Sequence, residues 1–167
     1  MEAGFSLGSN QGSAADQLRE ARRRLLALPD VCLLAQSMIY ETEPVDVAPA
    51  YTHVYFLNAV LIMDSARSAQ EWLSAVNRVE ADMGRIRTAD RHAPRPIDID
   101  ILYVGDACIE SGGLTVPHPR WAQRRFVVQP LAEVRPDACL PGIGQRVQEV
   151  LSRLPEAGVT PRPDLVW

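Results

Sequence analysis

Asp98 and Asp100 are the residues of this sequence best placed to do chemistry together. The stretch Ile97-Asp98-Ile99-Asp100-Ile101-Leu102 alternates as a strand does, so the isoleucines take one face and both carboxylates share the other. Carboxylates this close repel unless a positive charge stands between them, and hard oxygen ligands favour Mg²⁺, which keeps several waters and binds substrate phosphates. A phosphate-bearing substrate would complete such a site. Just upstream lie Arg85, Arg87, Arg91 and Arg95, where guanidinium groups would meet the remaining charge of a polyphosphate. Taken alone, an Asp-x-Asp pair is more often the solvated face of an ordinary amphipathic strand. The arginines, with Pro94 and Pro96 stiffening the approach, tip the balance toward a metal-nucleotide site.

The elements that must position these groups can be read in order. Residues 3–8 form a short strand ending in the turn Gly8-Ser9-Asn10-Gln11-Gly12-Ser13, which lacks the lysine and the spacing of a P-loop and reads as structural. Ser13 is placed to cap a helix over 14–28, where Leu18, Ala21, Leu25 and Leu28 recur on one face before Pro29 stops it. Residues 31–40 predict a strand, 41–50 a loop opened by Pro44 and Pro49, and 56–63 a second apolar strand interrupted by Asn58. A polar amide there either satisfies loop backbone or reads a ligand edge, and the residues alone favour the first.

Trp72, Leu73, Val76, Val79 and Met83 give a second core helix over 68–84, with Glu80 expected to make a surface pairing with a nearby arginine. The strand at 97–104 follows. After it come short extended pieces around Gly112 and Gly113, a helical turn at 121–125, a core segment at 126–131 and a last helix at 145–154. The tail from Pro155 reads as a surface arm. The order β, α, β, β, α, β predicts an α+β ferredoxin-like sandwich with an antiparallel sheet and additions after it, helices covering one face and leaving the other for ligands.

At 167 residues the chain is expected to be a single domain, 1–167, with core enough to fold without metal or disulfide. A net charge of −4 argues against a general nucleic-acid binder, and the sequence lacks an RNP-type aromatic signature. Cys32, Cys108 and Cys139 are odd in number and widely spaced, which suggests neither a disulfide framework nor a zinc site and fits a reducing cytoplasm. The longest apolar run, Ala59 to Met63, is too short to span a bilayer.

With these residues in view, the chain resembles the 6-hydroxymethyl-7,8-dihydropterin pyrophosphokinase family, which moves the β,γ-pyrophosphoryl group of ATP to a pterin alcohol in folate biosynthesis. The resemblance runs in order from Gly8-Ser9-Asn10 through Tyr40-Glu41-Thr42, Phe56-Leu57-Asn58, Gly84-Arg85, Arg87 and Arg91 to Leu102. It continues from Thr115 to His118, then to Phe126 and Pro130-Leu131, covering most of residues 5–137. Its specific part is Pro94-Arg95 followed by Asp98 and Asp100. The resemblance implies that Asp98 and Asp100 ligate two Mg²⁺ ions, and that Arg85 and Arg95 join them as catalytic residues.

It further implies that Arg85, Arg87, Arg91, Arg95, Ile101, Thr115, His118 and Arg124 bind ATP. Thr42, Pro44, Val45, Phe56, Asn58, His92 and Phe126 would bind the pterin, a flat ring that suits two aromatic faces and an amide at its edge. Asn58 thereby moves from a structural to a binding role. The partners so implied are ATP and a pterin alcohol; charge and apolar run length lead us to expect no nucleic acid or membrane partner, and the sequence leaves the oligomeric state open, a monomer being one option. Some positions depart from the pattern: His92 stands where many relatives carry Trp, Gly113 where some carry Arg, and Glu43 where some carry Pro. The approach from Asp46 to Tyr55 is also altered.

Overall fold

The alternation that pairs Asp98 with Asp100 becomes strand β5 (Asp98–Val104), at the end of a six-stranded sheet. The computed structural model describes residues 1–43, 55–85, 95–156 and 158–167. In chain order, β1 (Glu2–Ser9) leads to α1 (Ala14–Leu26), then β2 (Cys32–Gln36), β3 (Tyr40–Thr42) and β4 (Phe56–Asp64) precede α2 (Ala69–Asp82) and β5. A hairpin of β6 (Ile109–Ser111) and β7 (Leu114–Val116) follows, then a 3₁₀ turn (Trp121–Gln123), α3 (Arg125–Val134), α4 (Val147–Leu151) and β8 (Val159–Pro161). The antiparallel sheet runs β5-β1-β4-β3-β8, with β2 beside β4 as well. Counting β2 and β3 as one interrupted strand, this is the predicted ferredoxin-like α+β arrangement.

The interruption is where the expected strand over 31–40 differs from the fold. Ser37 leaves the ladder: its Oγ accepts the Val60 N–H at 2.9 Å, and its own N–H donates to the Val60 carbonyl at 3.0 Å. The chain thus steps from β2 to β3 along one edge of β4 without stranding a buried donor.

Two apolar layers hold the sheet. On one face Phe5, Leu7, Leu61, Ile97, Ile99 and Ile101 pack against Leu18 and Leu25 of α1 and Trp72 and Val76 of α2, with Phe5 edge-on to Trp72 at 4.7 Å between centroids. On the other, Val60, Ile62, Leu102 and Tyr103 pack against Val127, Val128 and Leu131 of α3 and Val147 and Val150 of α4. Helices therefore cover both faces, not one. The core segment expected at 126–131 folds as α3 and puts an apolar stripe on the second face.

Local chemistry fixes the helix starts. Ser68 caps α2 in a full capping box with Glu71. Ser13 makes no such cap; its hydroxyl donates to Asp16 Oδ2 at 2.5 Å. The tail read as a surface arm instead supplies β8, which pairs with β3.

Candidate active site

The site forms where β1, β4 and β5 end together beneath the start of α3. Gly8 on β1 pairs with Asn58 of β4 on one side and with Asp98 of β5 on the other. Directly opposed residues of antiparallel strands project to the same face, and neighbouring strands lie about 4.8 Å apart. The amide of Asn58 and the carboxylate of Asp98 therefore flank one glycine. A Cβ on Gly8 would stand 2.9 Å from Asn58 Oδ1, so the trough between them exists because position 8 has no side chain.

On the carboxylate side, Arg85 donates to Asp98 Oδ1 and to Glu80 Oε1, while Arg95 reaches Asp98 Oδ2 at 3.1 Å. Arg124, the residue preceding α3, reaches Asp100 Oδ2 at 3.3 Å, and His118 Nε2 lies 3.7 Å from the same oxygen. Three carboxylates thus face three guanidinium groups. Burial pushes the Asp100 carboxyl upward, with the Asp98 charge adding to it. Burial also raises Glu80 and lowers His118. For Arg85 burial opposes the charge, but the Asp98 and Glu80 carboxylates outweigh it and hold the guanidinium protonated. His118 Nδ1 accepts the Arg120 N–H at 3.1 Å, so a neutral ring carries its proton on Nε2, facing Asp100.

The turn after β1 holds the approach to this cluster. Asn10 Oδ1 accepts the Arg95 N–H at 2.9 Å, and Ser9 Oγ donates to the Pro96 carbonyl at 2.6 Å. Both bonds fix Arg95 from 85 or more residues away in the chain.

On the amide side, Asn58 Nδ2 donates to Thr42 Oγ1 at 2.7 Å, deep in the structure. Phe56 shares Asn58's face of β4 and pairs with Thr42 across the ladder. Phe126 lies one residue inside α3, and the Arg124 guanidinium sits 5.6 Å from its ring centroid. Phe56 and Phe126 are both half-buried, with ring surface left to contact a ligand.

The family model of 7,8-dihydro-6-hydroxymethylpterin-pyrophosphokinase (HPPK) matches residues 4–136. The chain belongs to this family. It is 33% identical over 95% of its length to the 2-amino-4-hydroxy-6-hydroxymethyldihydropteridine pyrophosphokinase of Pseudomonas aeruginosa, of which it covers 94%. It is 36% identical over 93% of its length to the folic acid synthesis protein fol1 of Schizosaccharomyces pombe, but spans only 21% of that protein. Among solved structures, Plasmodium falciparum HPPK-DHPS with pteroate matches 90% of this chain and 42% of its own at a TM-score of 0.72. Its 14% identity makes that a likeness of fold.

Against this HPPK background, the fold brings together Arg85, Arg95, Asp98, Asp100, His118 and Arg124 at one end and Thr42, Phe56, Asn58 and Phe126 beside them. Thr115 is exposed on β7, in the hairpin beside β5. The Ile101 side chain is buried under α1 and α2, on the face opposite the two carboxylates, as strand alternation requires, which leaves its backbone as the part nearest them. Arg87, Arg91, His92, Pro44 and Val45 lie outside the described residues, as do most of the altered stretch 46–55 and the Pro94 approach.

Glu80, expected to make a surface pairing, is buried instead. It is 3% exposed, and its Oε1 accepts the backbone N–H of Ile99 at 2.8 Å as well as the Arg85 guanidinium. The signal was present in its spacing, four residues after the buried Val76 on the stripe that faces the sheet. Gly8 reads in the sequence as the strand end and the start of a turn, since a gap between two side chains depends on pairing that no local pattern reveals.

The carboxylate end fits a divalent ion. Among the described residues there is no cluster of three metal-binding side chains, only Asp98 and Asp100 with hard oxygens on one face. Two carboxylates completed by waters and phosphate oxygens are what Mg²⁺ accepts. Arg95 Nε is buried and has no partner among the described residues, which leaves the guanidinium donor capacity for an anion.

Proposed function

We propose that this chain is an ATP- and Mg²⁺-dependent pyrophosphokinase joining the hydroxymethyl oxygen of 6-hydroxymethyl-7,8-dihydropterin to the β-phosphorus of ATP. The new bond is oxygen to Pβ; the bond from Pβ to the α,β-bridging oxygen breaks, AMP leaves, and the alcohol proton passes to water. The observation that carries this reading is the row Asn58, Gly8, Asp98: a hydrogen-bonding amide and a metal-binding carboxylate separated by one bare backbone position.

Asn58, held by Thr42, would read the donor and acceptor edge of the pterin, with Phe56 and Phe126 available to its faces. Asp98 and Asp100 would hold Mg²⁺ with the nucleotide phosphates, and the bound metal would supply charge neutralisation and a more acidic alcohol. Arg95 and Arg124 sit on the two carboxylates at their outer edge, placed to exchange those partners for phosphate oxygens. Phosphoryl transfer of this kind needs positioning and electrostatics more than a dedicated base. His118, neutral and pointing its Nε2 proton inward, suits a donor to phosphate rather than a proton acceptor.

Two other classes share some of these features. An Asp-x-Asp glycosyltransferase would bind nucleotide and metal but not a pterin, and a ferredoxin-like RNA module would bind neither as a pair. Calorimetry with Mg²⁺ and a non-hydrolysable ATP analogue, then with a pterin alcohol, then with an RNA oligomer separates the three. The expected result is nucleotide and pterin binding; RNA binding without pterin binding would end the proposal.

A further inference from the structure

We infer that the segment Gly158–Trp167 is a positioning element for the heteroaromatic substrate, acting through Thr42; the inference rests on the pyrophosphokinase reading above. Thr42 ends β3, a strand of three residues held to β4 by three pairings. Its hydroxyl oxygen accepts the Asn58 amide, so the place of Thr42 decides how that amide is presented. A strand this short with one neighbour has little to stop it fraying. The closing segment supplies the second neighbour: Tyr40 pairs with Pro161, Glu41 with Thr160 and Thr42 with Val159.

Backbone bonds bracket β3 at both ends. The Glu43 N–H donates to the Gly158 carbonyl at 2.9 Å, and the Arg162 N–H donates to the Ile39 carbonyl at 2.9 Å. Side chains extend the grip: Arg162 Nη1 donates to Glu41 Oε2 at 2.7 Å, and Trp167 Nε1 to the Ser37 carbonyl at 2.6 Å. The far end is anchored on α1, where Arg19 Nε donates to the Val166 carbonyl at 2.7 Å and the Arg22 guanidinium lies 5.8 Å from the Trp167 ring centroid. None of these contacts involves Asp98, Asp100 or the arginines bonded to them. The segment therefore bears on the amide end of the trough and leaves the carboxylate end alone.

Position 43 matters for the same reason. A proline there, as some members of the family carry, has no N–H to give Gly158. In this chain the glutamate keeps the donor and closes the pairing of β3 with β8 one residue beyond Thr42.

The test compares the wild type with a chain shortened after Pro155, with Glu43→Pro, which removes the one donor, and with Glu43→Ala, which keeps it. Two readouts are taken: amide hydrogen exchange over residues 39–43, and the separate KM values for pterin and ATP. Exchange is expected to quicken in the shortened chain and in Glu43→Pro. In the shortened chain KM for the pterin should rise about tenfold with KM for ATP and kcat within about twofold, a split that general loss of stability would not give. Glu43→Pro should show the same split to a smaller degree, and Glu43→Ala should match the wild type. An unchanged pterin KM in both altered chains, or equal rises in both KM values, overturns the inference. If the shortened chain does not fold, the Glu43→Pro and Glu43→Ala pair decides alone. Failure of the pyrophosphokinase reading is distinct, since the wild type itself would then neither bind pterin nor release AMP.

Discussion

The carboxylate of Glu80 accepts the backbone N–H of Ile99 at 2.8 Å, and Ile99 is the residue between Asp98 and Asp100. Because β5 ends the sheet, that N–H points away from the ladder and would otherwise be a buried donor without a partner. Glu80 thus fixes the strand between its two carboxylates while bonding Arg85, which in turn bonds Asp98. Glu80→Ala is expected to cost about 1–3 kcal/mol in urea unfolding and to abolish most turnover. Glu80→Gln keeps an acceptor for Ile99 but removes the charge facing Arg85, so stability should largely return while turnover stays low. An unfolding midpoint for Glu80→Ala equal to the wild type would refute this role.

Gly8→Ala puts a methyl group 2.9 Å from Asn58 Oδ1, against an amide that Thr42 holds in place. Crowding of this kind typically costs about 1–3 kcal/mol. Part of it should appear as weaker pterin binding, because the amide must turn out of the trough. Calorimetry is expected to give a larger loss of affinity for the pterin than for the nucleotide; equal losses would mean that the trough is not the pterin's edge.

The two aspartates should differ in what they do to the metal-free chain. Asp98 accepts a hydrogen bond from Arg85 and is ion-paired with Arg95, whereas Asp100 is buried beside Asp98 with Arg124 at 3.3 Å. Burial and the Asp98 charge raise the Asp100 carboxyl above its ordinary range, so its ionisation costs stability at neutral pH. Asp100→Asn is expected to leave stability unchanged or raised, and Asp98→Asn to lower it by leaving two guanidinium groups short of a partner. Both should lose metal-dependent activity. Thermal unfolding in the absence of metal checks the ordering, which the opposite ranking would reverse.

Much of this was legible in the sequence. Alternation alone put both aspartates on one face, and helical spacing found α1 and α2, because those patterns are local. What it missed depended on distant partners. Asn10 and Ser9 read locally as turn residues because their bonds run to Arg95 and Pro96, 85 and 87 residues along the chain. Glu80 looked like a surface acid because an unpaired N–H on the edge of β5 cannot be seen from α2. In the second helical layer α4 falls within the helix expected at 145–154, but α3 reads only as a core segment because it contains Pro130 and begins without a capping side chain, so nothing marks its start. The closing segment, rich in proline, carries too short a strand for its pairing with β3 to show in a pattern of alternation.

Far from the site, Glu2 ties the start of β1 to the second layer. Its carboxylate accepts Arg135 at 2.8 Å and the Tyr103 hydroxyl at 2.6 Å, and the Arg135 bond leads in holding it below the ordinary glutamate range. A depressed folded-state value stabilises the fold above the unfolded-state pKa of about 4.3, and that contribution fades as pH falls through the folded-state value. The stability difference between wild type and Glu2→Gln should therefore be full near neutrality and shrink in acid. Urea titrations at several pH values below about 5 check this; a constant difference would contradict it.

Transfer of a diphosphoryl group to a pterin alcohol across the Gly8 trough is the reaction that this geometry supports. Its most direct measurement is ³¹P NMR of a reaction holding ATP, Mg²⁺ and 6-hydroxymethyl-7,8-dihydropterin. AMP and a pterin diphosphate ester are expected to appear in equal amounts, neither forming when the alcohol or the metal is left out. Appearance of ADP with a pterin monophosphate, or release of AMP without the alcohol, would contradict it.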